Sequence, residues 1–330
     1  MIMKKILLIL FCLPLIGFGQ NVNIPDANFK AYLVGNTAIN TNGDTEIQVS
    51  EASAFNGSII CNYMSIADLT GIEAFTNLTH LNCYQNIFTS IDISQNTALT
   101  FLKVGGSGIG AGFFITSLDV TSNTALTYLN CSDNYFNLTS LDVSNNTALT
   151  YLDCGYNQIA SLDVSNNIAL TELDCRDNEL TSLDVSSATS LENLDCSNNE
   201  ITSLDLSYNT ELNILQSGGN QFTNLDIKNG NNTNFIYFSA IYNPNLYCIN
   251  VDDSTWAANN LVTSNGQPAI DSQHYFSDNC SGTTSIQEHT TTKELLKVTD
   301  LLGRETKGNK NEVLFYIYDD GTVEKRIVIE

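Results

Sequence analysis

The side chains with the most reactive chemistry in this chain are histidines, carboxylates and cysteines. The three histidines, His80, His274 and His289, lie in three separate regions of the sequence. No nucleophile elbow, zinc-binding pair or phosphate-binding glycine loop accompanies them. These residue types therefore provide no arrangement for acid–base or nucleophilic catalysis, and we predict that the chain is not an enzyme.

The carboxylates are arranged periodically. One series is spaced 21 residues apart, at Asp142, Asp163, Asp184, Asp205 and Asp226. A pair of carboxylates could hydrolyse a glycoside, but here repetition explains their presence. The series is either a strip of calcium ligands or a set of acceptors for backbone amides in the following turn. Because charges about 5 Å apart in water repel by only ~1 kcal/mol, the series needs no cation, and we favour the second interpretation.

The whole 21-residue unit repeats with the carboxylates. It reads LTYLDCGYNQIASLDVSNNIA from Leu149 and recurs from Leu170 and from Leu191. A fixed period of this length is the signature of a solenoid, which is built by stacking units that are unstable alone. Alternation with period two directs Leu152 and Cys154 inward and their neighbours outward.

The unit L-x-x-L-x-C-x-x-N resembles the strand signature of leucine-rich repeats. The resemblance covers residues 59–226 and implies an α/β-type solenoid, mostly β. It would be a right-handed superhelix of about eight rungs of 21–27 residues, with N- and C-terminal caps and a small C-terminal β domain. An inward asparagine near each turn (Asn157, for example) would hydrogen-bond backbone groups that the turn leaves unpaired.

Leucine-rich repeats commonly bind partners on their concave face, where the outward strand residues lie. An aromatic part would suit stacking on a sugar or a peptide ring, and an acidic part would suit a basic partner or a cation. The alternative is that these are only solvated strand residues. The candidate ligand-binding residues are Phe101, Tyr128, Tyr151, Asp153, Glu172, Asp174 and Asp195.

The cysteines form two groups. One is an inward column, in which Val104 and Ser217 stand in for cysteine in two rungs: Cys83, Cys131, Cys154, Cys175 and Cys196. This exchange indicates small buried residues, and strand geometry favours free thiols over disulfides between rungs. Cys248 and Cys280 lie outside the column, and we predict a disulfide between them.

The N-terminal residues predict export and a cap. Residues 1–19 have a basic start, a short apolar run and small residues before Gln20, as a secretory signal has. The alternative, a membrane anchor, needs a longer apolar run. Residues 20–58 would cap the solenoid, and one loop in them resembles an EF-hand calcium loop. It departs from that pattern by Asn at the first position and by glycine at the fourth instead of the sixth, so a plain polar loop is the alternative. The possible Ca²⁺ ligands are Asn40, Asn42, Asp44, Glu46 and Glu51.

Beyond the repeats we predict a C-terminal cap over residues 227–280, a polar linker over 281–292 and a separate β domain over 293–330. The last segment contains KVTDLLGR and ends in FYIYDDGTVEKRIVIE. It resembles the C-terminal sorting domain of the type IX secretion system of Bacteroidetes, although it is short and lacks a proline-rich opening. The resemblance implies contact with that machinery, passage across the outer membrane of a Gram-negative bacterium, and then release or attachment to the cell surface.

Charge limits the classes of partner. The formal net charge is −23, which argues against nucleic acids and anionic membranes. No later segment is apolar enough to span a membrane. The predicted function is that of a secreted or cell-surface monomer that binds an extracellular protein or glycan through the concave face. The alternatives are a calcium-dependent adhesion module and a non-catalytic subunit of an extracellular hydrolase system. We predict no certain cofactor, with Ca²⁺ as the one candidate.

Overall fold

The computed structural model describes residues 19–106, 114–135, 137–264, 266–280, 295–299, 304–306, 313–318 and 323–327. The predicted signal before Gly19, the linker and most of the glycine-rich insertion between Val104 and Phe114 lie outside these residues. The chain divides into two compact units, residues 1–280 and 281–330.

The first unit is a parallel β-solenoid whose main sheet, which we call the front sheet, has nine three-residue strands. The central residue of each strand points inward and is buried, as Leu152 and Leu173 are. Neighbouring strands pair in register, so that equivalent residues of successive repeats lie side by side. In chain order the strands are Ser58–Ile60, His80–Asn82, Phe101–Lys103, Tyr128–Asn130, Tyr151–Asp153, Glu172–Asp174, Asn193–Asp195, Ile214–Gln216 and Tyr237–Ser239.

This architecture confirms the predicted leucine-rich repeat solenoid. The front sheet also continues beyond Asp226, because Tyr237–Ser239 pairs with Ile214–Gln216. Phe238 takes the inward leucine position there and is buried. The L-x-x-L-x-C signature is absent from this stretch, so the sequence pattern ended one rung before the sheet does.

The opposite side of the solenoid becomes a sheet only near its C-terminal end. The SLDV segments of the earlier repeats bury residues such as Leu162 and Val164 without pairing as strands. The later ones form a four-stranded parallel back sheet: Ser203–Asp205, Asn224–Asp226, Cys248–Asn250 and Tyr275–Ser277.

The carboxylates on this side accept hydrogen bonds within their own turns. Asp163 Oδ1 accepts from the Ser165 amide at 2.9 Å. Side-chain and backbone hydrogen bonds from Ser165 lower the pKa of Asp163. The series continues toward the N-terminus, at wider spacing, with Asp92 and Asp119. The same bond to the amide two residues on recurs in every member, which confirms the favoured interpretation: Asp92, Asp119, Asp142, Asp163, Asp184, Asp205 and Asp226.

The predicted inward asparagines form a hydrogen-bonded ladder between rungs. Asn157 Nδ2 donates to the carbonyls of Cys154 and Cys131, at 2.8 and 3.1 Å. The Oδ1 of Asn178, one rung on, accepts from the Ile159 amide at 2.9 Å. Each side chain thus joins its own turn to that of the preceding rung.

A second asparagine ladder runs through the turns that follow the back segments, and the sequence interpretation missed it. Asn167 Nδ2 donates to the carbonyls of Val143 and Asn146, at 3.0 and 2.9 Å. The signal was present as the second residue of each Asn-Asn or x-Asn-Thr turn. The members are Asn96, Asn123, Asn146, Asn167 and Asn209, all fully buried.

Two helices, Ala27–Gly35 and Val49–Ala54, close the N-terminal end of the solenoid. Asp26 caps the first, its Oδ1 accepting from the amides of Asn28 and Phe29 at 2.9 Å each. Tyr32 then accepts the amide proton of Ile60 at 2.8 Å. The helix thereby satisfies an edge donor of the first front strand.

The C-terminal part of the first unit contains the helix Ser254–Asn260 and the antiparallel pair Thr263–Ser264 and Gln267–Pro268. Short 3₁₀ turns occur at Ile72–Ala74 and Asn232–Asn234. The second unit is an antiparallel sheet of three strands, Leu295–Thr299, Val313–Tyr318 and Val323–Ile327. Within the described ranges, no helix has the length and apolarity needed to cross a bilayer.

Candidate functional site

The aromatic candidates form one continuous stack on the outward side of the front sheet. In-register pairing places His80, Phe101, Tyr128 and Tyr151 on four adjacent strands. Their ring centroids are 3.8, 4.2 and 4.2 Å apart, and neighbouring planes are within 9° of parallel. We call this row the ring stack.

The ring stack changes what Phe101 and Tyr128 can offer a ligand. Both faces of each ring are covered by the neighbouring rings, so these two residues present ring edges and, for Tyr128, a hydroxyl group. Stacking on a sugar needs a free ring face. Tyr151 is the end of the recorded stack, because Glu172, its partner in register on the next strand, is an exposed carboxylate.

The acidic candidates form a second column two residues further along the same strands. Asp153, Asp174 and Asp195 pair in register on adjacent strands, and we call them the acidic column. Asp153 accepts from Asn130 Nδ2 at 2.6 Å and from the Gly155 amide at 3.1 Å. Arg176 Nη2 lies 3.5 Å from Asp174 Oδ2, and its Nη1 lies 3.5 Å from Asp195 Oδ2.

Burial makes this column electrostatically strained. Burial, together with the charges of Asp153 and Asp195, raises the pKa of Asp174 to about 7, in spite of Arg176. Burial also raises the pKa of Asp153. Without a cation, it costs free energy to keep these carboxylates charged. A cation that reached them would offset that cost.

A third cluster at the N-terminal part of the face was not found from the sequence. Lys103 Nζ lies 4.5 Å from the centroid of the Tyr84 ring, and the Tyr84 hydroxyl donates to Asp133. Burial and the contact with Asp133 raise the pKa of Tyr84. Tyr84 and Asp133 lie in the turns after their strands, where the strand pattern does not predict which side chains meet.

The same turns contain a column of residues with left-handed backbone. Gly106 and Gly219 occupy it at φ 62° and 68°, but Tyr63, Tyr156 and Tyr242 occupy it at φ 60°, 54° and 60°. Left-handed backbone is unfavourable for non-glycine residues. The remaining positions of the column hold Gln85, Asp133, Asp177 and Asn198, so most rungs place a non-glycine residue there.

The candidate calcium ligands are occupied by protein donors. Glu51 Oε1 accepts from the Thr41 amide and hydroxyl, at 2.8 Å each, and from the Asn42 amide at 3.1 Å. Glu46 forms an ion pair of 2.7 Å with Lys30. Asn40 Oδ1 accepts from the Gly43 amide at 3.0 Å.

The two remaining candidates, Asn42 and Asp44, are bonded in the same way, and Asn42 Oδ1 accepts from the Asp44 amide at 2.8 Å. Asp44 accepts from the Glu46 amide at 2.7 Å and from the side chains of Asn42 and Gln48 at 3.0 Å each. The part of the chain that the structure describes contains no group of three or more acidic, histidine or cysteine side chains able to hold a metal ion. The loop oxygens accept hydrogen bonds from the protein itself, and the calcium site stays a prediction.

The cysteines divide as the sequence indicated. Cys248 and Cys280 are joined in a disulfide. The inward column is buried and free, which confirms the prediction of free thiols, and Cys61 in the first rung extends it: Cys61, Cys83, Cys131, Cys154, Cys175 and Cys196. Burial raises the pKa of Cys61 to about 12, so this thiol is unreactive at neutral pH.

Known proteins share this repeat. Residues 45–199 match a family described as the leucine-rich repeat domain of the endo-beta-N-acetylglucosaminidase EndoS. Over 83 residues the chain is 43% identical to internalin J of Listeria monocytogenes serotype 4b (strain F2365), a stretch that is 24% of this chain and 9% of that protein.

Two solved structures from the same species have a similar fold. The functional domain of internalin J, described as including a cysteine ladder, is 39% identical, with a TM-score of 0.59 over 70% of this chain and 52% of that one. Internalin C2 is 16% identical, with a TM-score of 0.53 over 69% of this chain and 93% of that one. The chain thus spans about half of the solved internalin J domain and a tenth or less of the full curated protein. The chain has a leucine-rich repeat fold similar to that of the internalins of Listeria.

Proposed function

We propose that the chain is a secreted or cell-surface protein that binds a basic segment of another protein through the outward side of the front sheet, without catalysis. The observation that carries the proposal is the acidic column, in which three carboxylates are aligned and one arginine contacts only two of them. Charge complementarity of this kind steers and orients protein association. The relationship to the internalins supports a protein as the partner.

The ring stack favours a polypeptide over a glycan. Because the faces of Phe101 and Tyr128 are covered, the row offers edges and hydroxyl groups instead of platforms for sugar rings. Aligned ring edges and carboxylates suit the side chains and amides of an extended peptide.

The histidines support a role without catalysis. His80 belongs to the ring stack. His274 is buried, and its Nε2 lies 3.2 Å from the Asn243 carbonyl oxygen. His289 lies outside the described residues.

The match to the EndoS domain supports a second candidate, a non-catalytic subunit of an extracellular hydrolase system. Such a subunit would place a partner enzyme near its substrate and contribute no reacting group. Cross-linking that finds no glycosidase beside the chain on the native cell would count against it.

We infer that residues 293–330 address the chain to the type IX secretion machinery of a Gram-negative, Bacteroidetes-type bacterium. Support comes from the terminal motif and from its three antiparallel strands, which alone are marginal in stability, as suits a removable segment. Fusing residues 281–330 to an exported reporter in a bacterium with this machinery should carry the reporter to the cell surface. Reporter held in the periplasm would exclude this role.

Two matched triple variants test the binding surface. Asp153, Asp174 and Asp195 are changed together to Asn on the front, and Asp142, Asp163 and Asp184 to Asn on the back. Each variant loses three carboxylates from three consecutive rungs, and the back asparagines can still accept their turn hydrogen bonds. The probe is a random peptide display library panned on the immobilised protein.

Positively charged peptides should be enriched by the wild type and by the back variant but not by the front variant. Equal capture of these peptides by both variants would contradict the proposal. Stronger binding to glycans than to peptides, with the front substitutions leaving the glycan binding unchanged, would also contradict it.

A further inference from the structure

The ring stack ends at Tyr151, because the next strand has no aromatic residue at the in-register position. Rings in the stack are 4.2 Å apart, close to the ~4.8 Å separation of neighbouring strands. A flat group lying on Tyr151 would therefore sit at the level of the next strand, where the chain provides Glu172 instead of a fifth ring. The face of an aromatic ring attracts cations, so this end of the stack favours a flat cation.

Carboxylates surround that level. Glu172 is exposed and lies directly beside Tyr151 in register. Asp174 follows two residues later on the same strand and the same side of the sheet. Arg176 is the cation in contact with the column, and it reaches Asp174 and Asp195, while Asp153 is held by the neutral donors of Asn130 and Gly155. The surface therefore has more negative than positive charge.

Arg176 shows within the chain how this surface accommodates an arginine. Its guanidinium carbon lies 5.2 Å from the centroid of the Tyr156 ring, while its two terminal nitrogens approach carboxylates of the acidic column. A ring face and two carboxylates thus bind one guanidinium. Tyr156 holds its ring there from left-handed backbone at φ 54°, a conformation that is unfavourable for a tyrosine.

We propose that the face of Tyr151 turned away from Tyr128, with the carboxylates of Glu172 and Asp174 beside it, is a subsite for an arginine side chain of the protein partner. This inference rests on the proposed function of the front sheet. A guanidinium is planar, can lie flat on the ring and can give two parallel N–H bonds to one carboxylate. A lysine ammonium is compact and strongly hydrated, and citrulline is planar but uncharged, so both should bind more weakly.

The test uses three synthetic peptides that differ at one residue type. Each alternates glycine with arginine, lysine or citrulline, and binding to the full chain is measured by calorimetry at physiological salt. The arginine peptide should bind more tightly than the lysine peptide by about fivefold, within the range of a cation–π contact. The citrulline peptide should bind most weakly.

Variants locate the binding. Tyr151→Leu and Glu172→Gln should each weaken the arginine peptide by about fivefold, and Tyr151→Phe, which keeps the ring, should restore it. The controls are Tyr247→Leu and Glu211→Gln, which remove an exposed tyrosine and an exposed glutamate elsewhere and should leave binding unchanged.

The outcomes separate the two proposals. If Tyr151→Leu and Glu172→Gln leave affinity unchanged while the front triple variant abolishes it, the subsite is wrong and the binding surface stands. If none of these variants changes affinity, both proposals fail. Equal affinity for the arginine and citrulline peptides, or no binding of the arginine peptide to the wild type, also overturns the subsite.

Discussion

Single buried asparagines connect the rungs, and one rung lacks such a residue. In the second ladder each Nδ2 donates to two carbonyls of the preceding turn, as Asn209 does to Val185 and Ala188 at 3.0 and 2.8 Å. Ala188 occupies the ladder position in the rung between Asn167 and Asn209, and it is fully buried. The carbonyls of Val164 and Asn167 therefore receive no amide from this position.

We expect Ala188→Asn to stabilise the protein. The new side chain would donate to the carbonyls of Val164 and Asn167, as its equivalents do in neighbouring rungs. A hydrogen bond contributes about 0.5–1.5 kcal/mol net. The Oδ1 atoms of this ladder lack a hydrogen-bond partner among the described residues, which offsets part of the gain. Urea unfolding should show an increase of about 1 kcal/mol.

The reverse substitution provides the control. Asn167→Ala removes two bonds of 2.9–3.0 Å and should cost about 2 kcal/mol. A destabilised Ala188→Asn beside an unaffected Asn167→Ala would mean that the ladder does not hold the rungs together.

Among the elements, the N-terminal cap depends on a carboxylate that the sequence assigned to calcium. Glu51, the third residue of the helix Val49–Ala54, forms a capping box with Gln48. Its Oε2 accepts from the Gln48 amide at 3.1 Å. Burial acts to raise the pKa of Glu51, but the hydrogen bonds from Gln48, Thr41 and Asn42 outweigh it, and the pKa is lowered. The capping interactions alone are sufficient to explain the residue.

We expect Ca²⁺ to leave the melting temperature unchanged and Glu51→Gln to lower it. Glutamine has one acceptor oxygen, so it cannot accept hydrogen bonds both from Thr41 and Asn42 and from Gln48. The free energy of unfolding should fall by about 1–3 kcal/mol. The wild type should lose the same stability in acid. A carboxyl group whose pKa is lowered by folding stabilises the fold at pH values above its ordinary pKa, and this stabilisation is lost as pH falls through the lowered pKa. Thermal unfolding with Ca²⁺ and with a chelator checks both statements. A rise of several degrees with Ca²⁺ would instead support the calcium loop.

The sequence predicted elements better than it predicted contacts between side chains. The 21-residue period was enough to predict where the front strands lie, because stacked repeats place equivalent residues in equivalent positions. It also brought Phe101, Tyr128 and Tyr151 into one row. It could not show that the rings cover one another's faces, since that depends on side-chain torsions.

Irregular segments were harder still. The strand Tyr237–Ser239 lacks the leucine signature, and Phe238 fills the core position by size alone. The ring of Tyr84, in a turn, meets Lys103 and Asp133 from two different rungs. Turn residues have no period-two rule to direct them, so sequence spacing does not predict such meetings.

At the scale of the whole molecule, the two sides of the solenoid respond oppositely to acid. On the back, hydrogen bonds lower the pKa of five carboxylates of the series: Asp92, Asp119, Asp142, Asp163 and Asp184. Their contribution to stability is present above the ordinary pKa and is lost as pH falls below about 4. On the front, burial raises the pKa of Asp174 to about 7.

The raised pKa of Asp174 predicts a molecule that becomes more stable on mild acidification. A carboxyl whose folded pKa lies above its unfolded value stabilises the fold at low pH and loses that contribution as pH rises through the folded pKa. The free energy of unfolding should therefore fall by on the order of 2 kcal/mol between pH ~5 and ~8.

Asp174→Asn should remove most of this dependence on pH, because an uncharged amide occupies the same buried site. Asp163→Asn, the matched change on the back, should leave the slope in this window intact. Urea unfolding across the pH range measures all three proteins, and an identical slope in wild type and Asp174→Asn would show that the buried carboxylates remain charged. In that case Arg176 and the backbone amides would fully compensate the acidic column, and a cationic partner would gain little by approaching it.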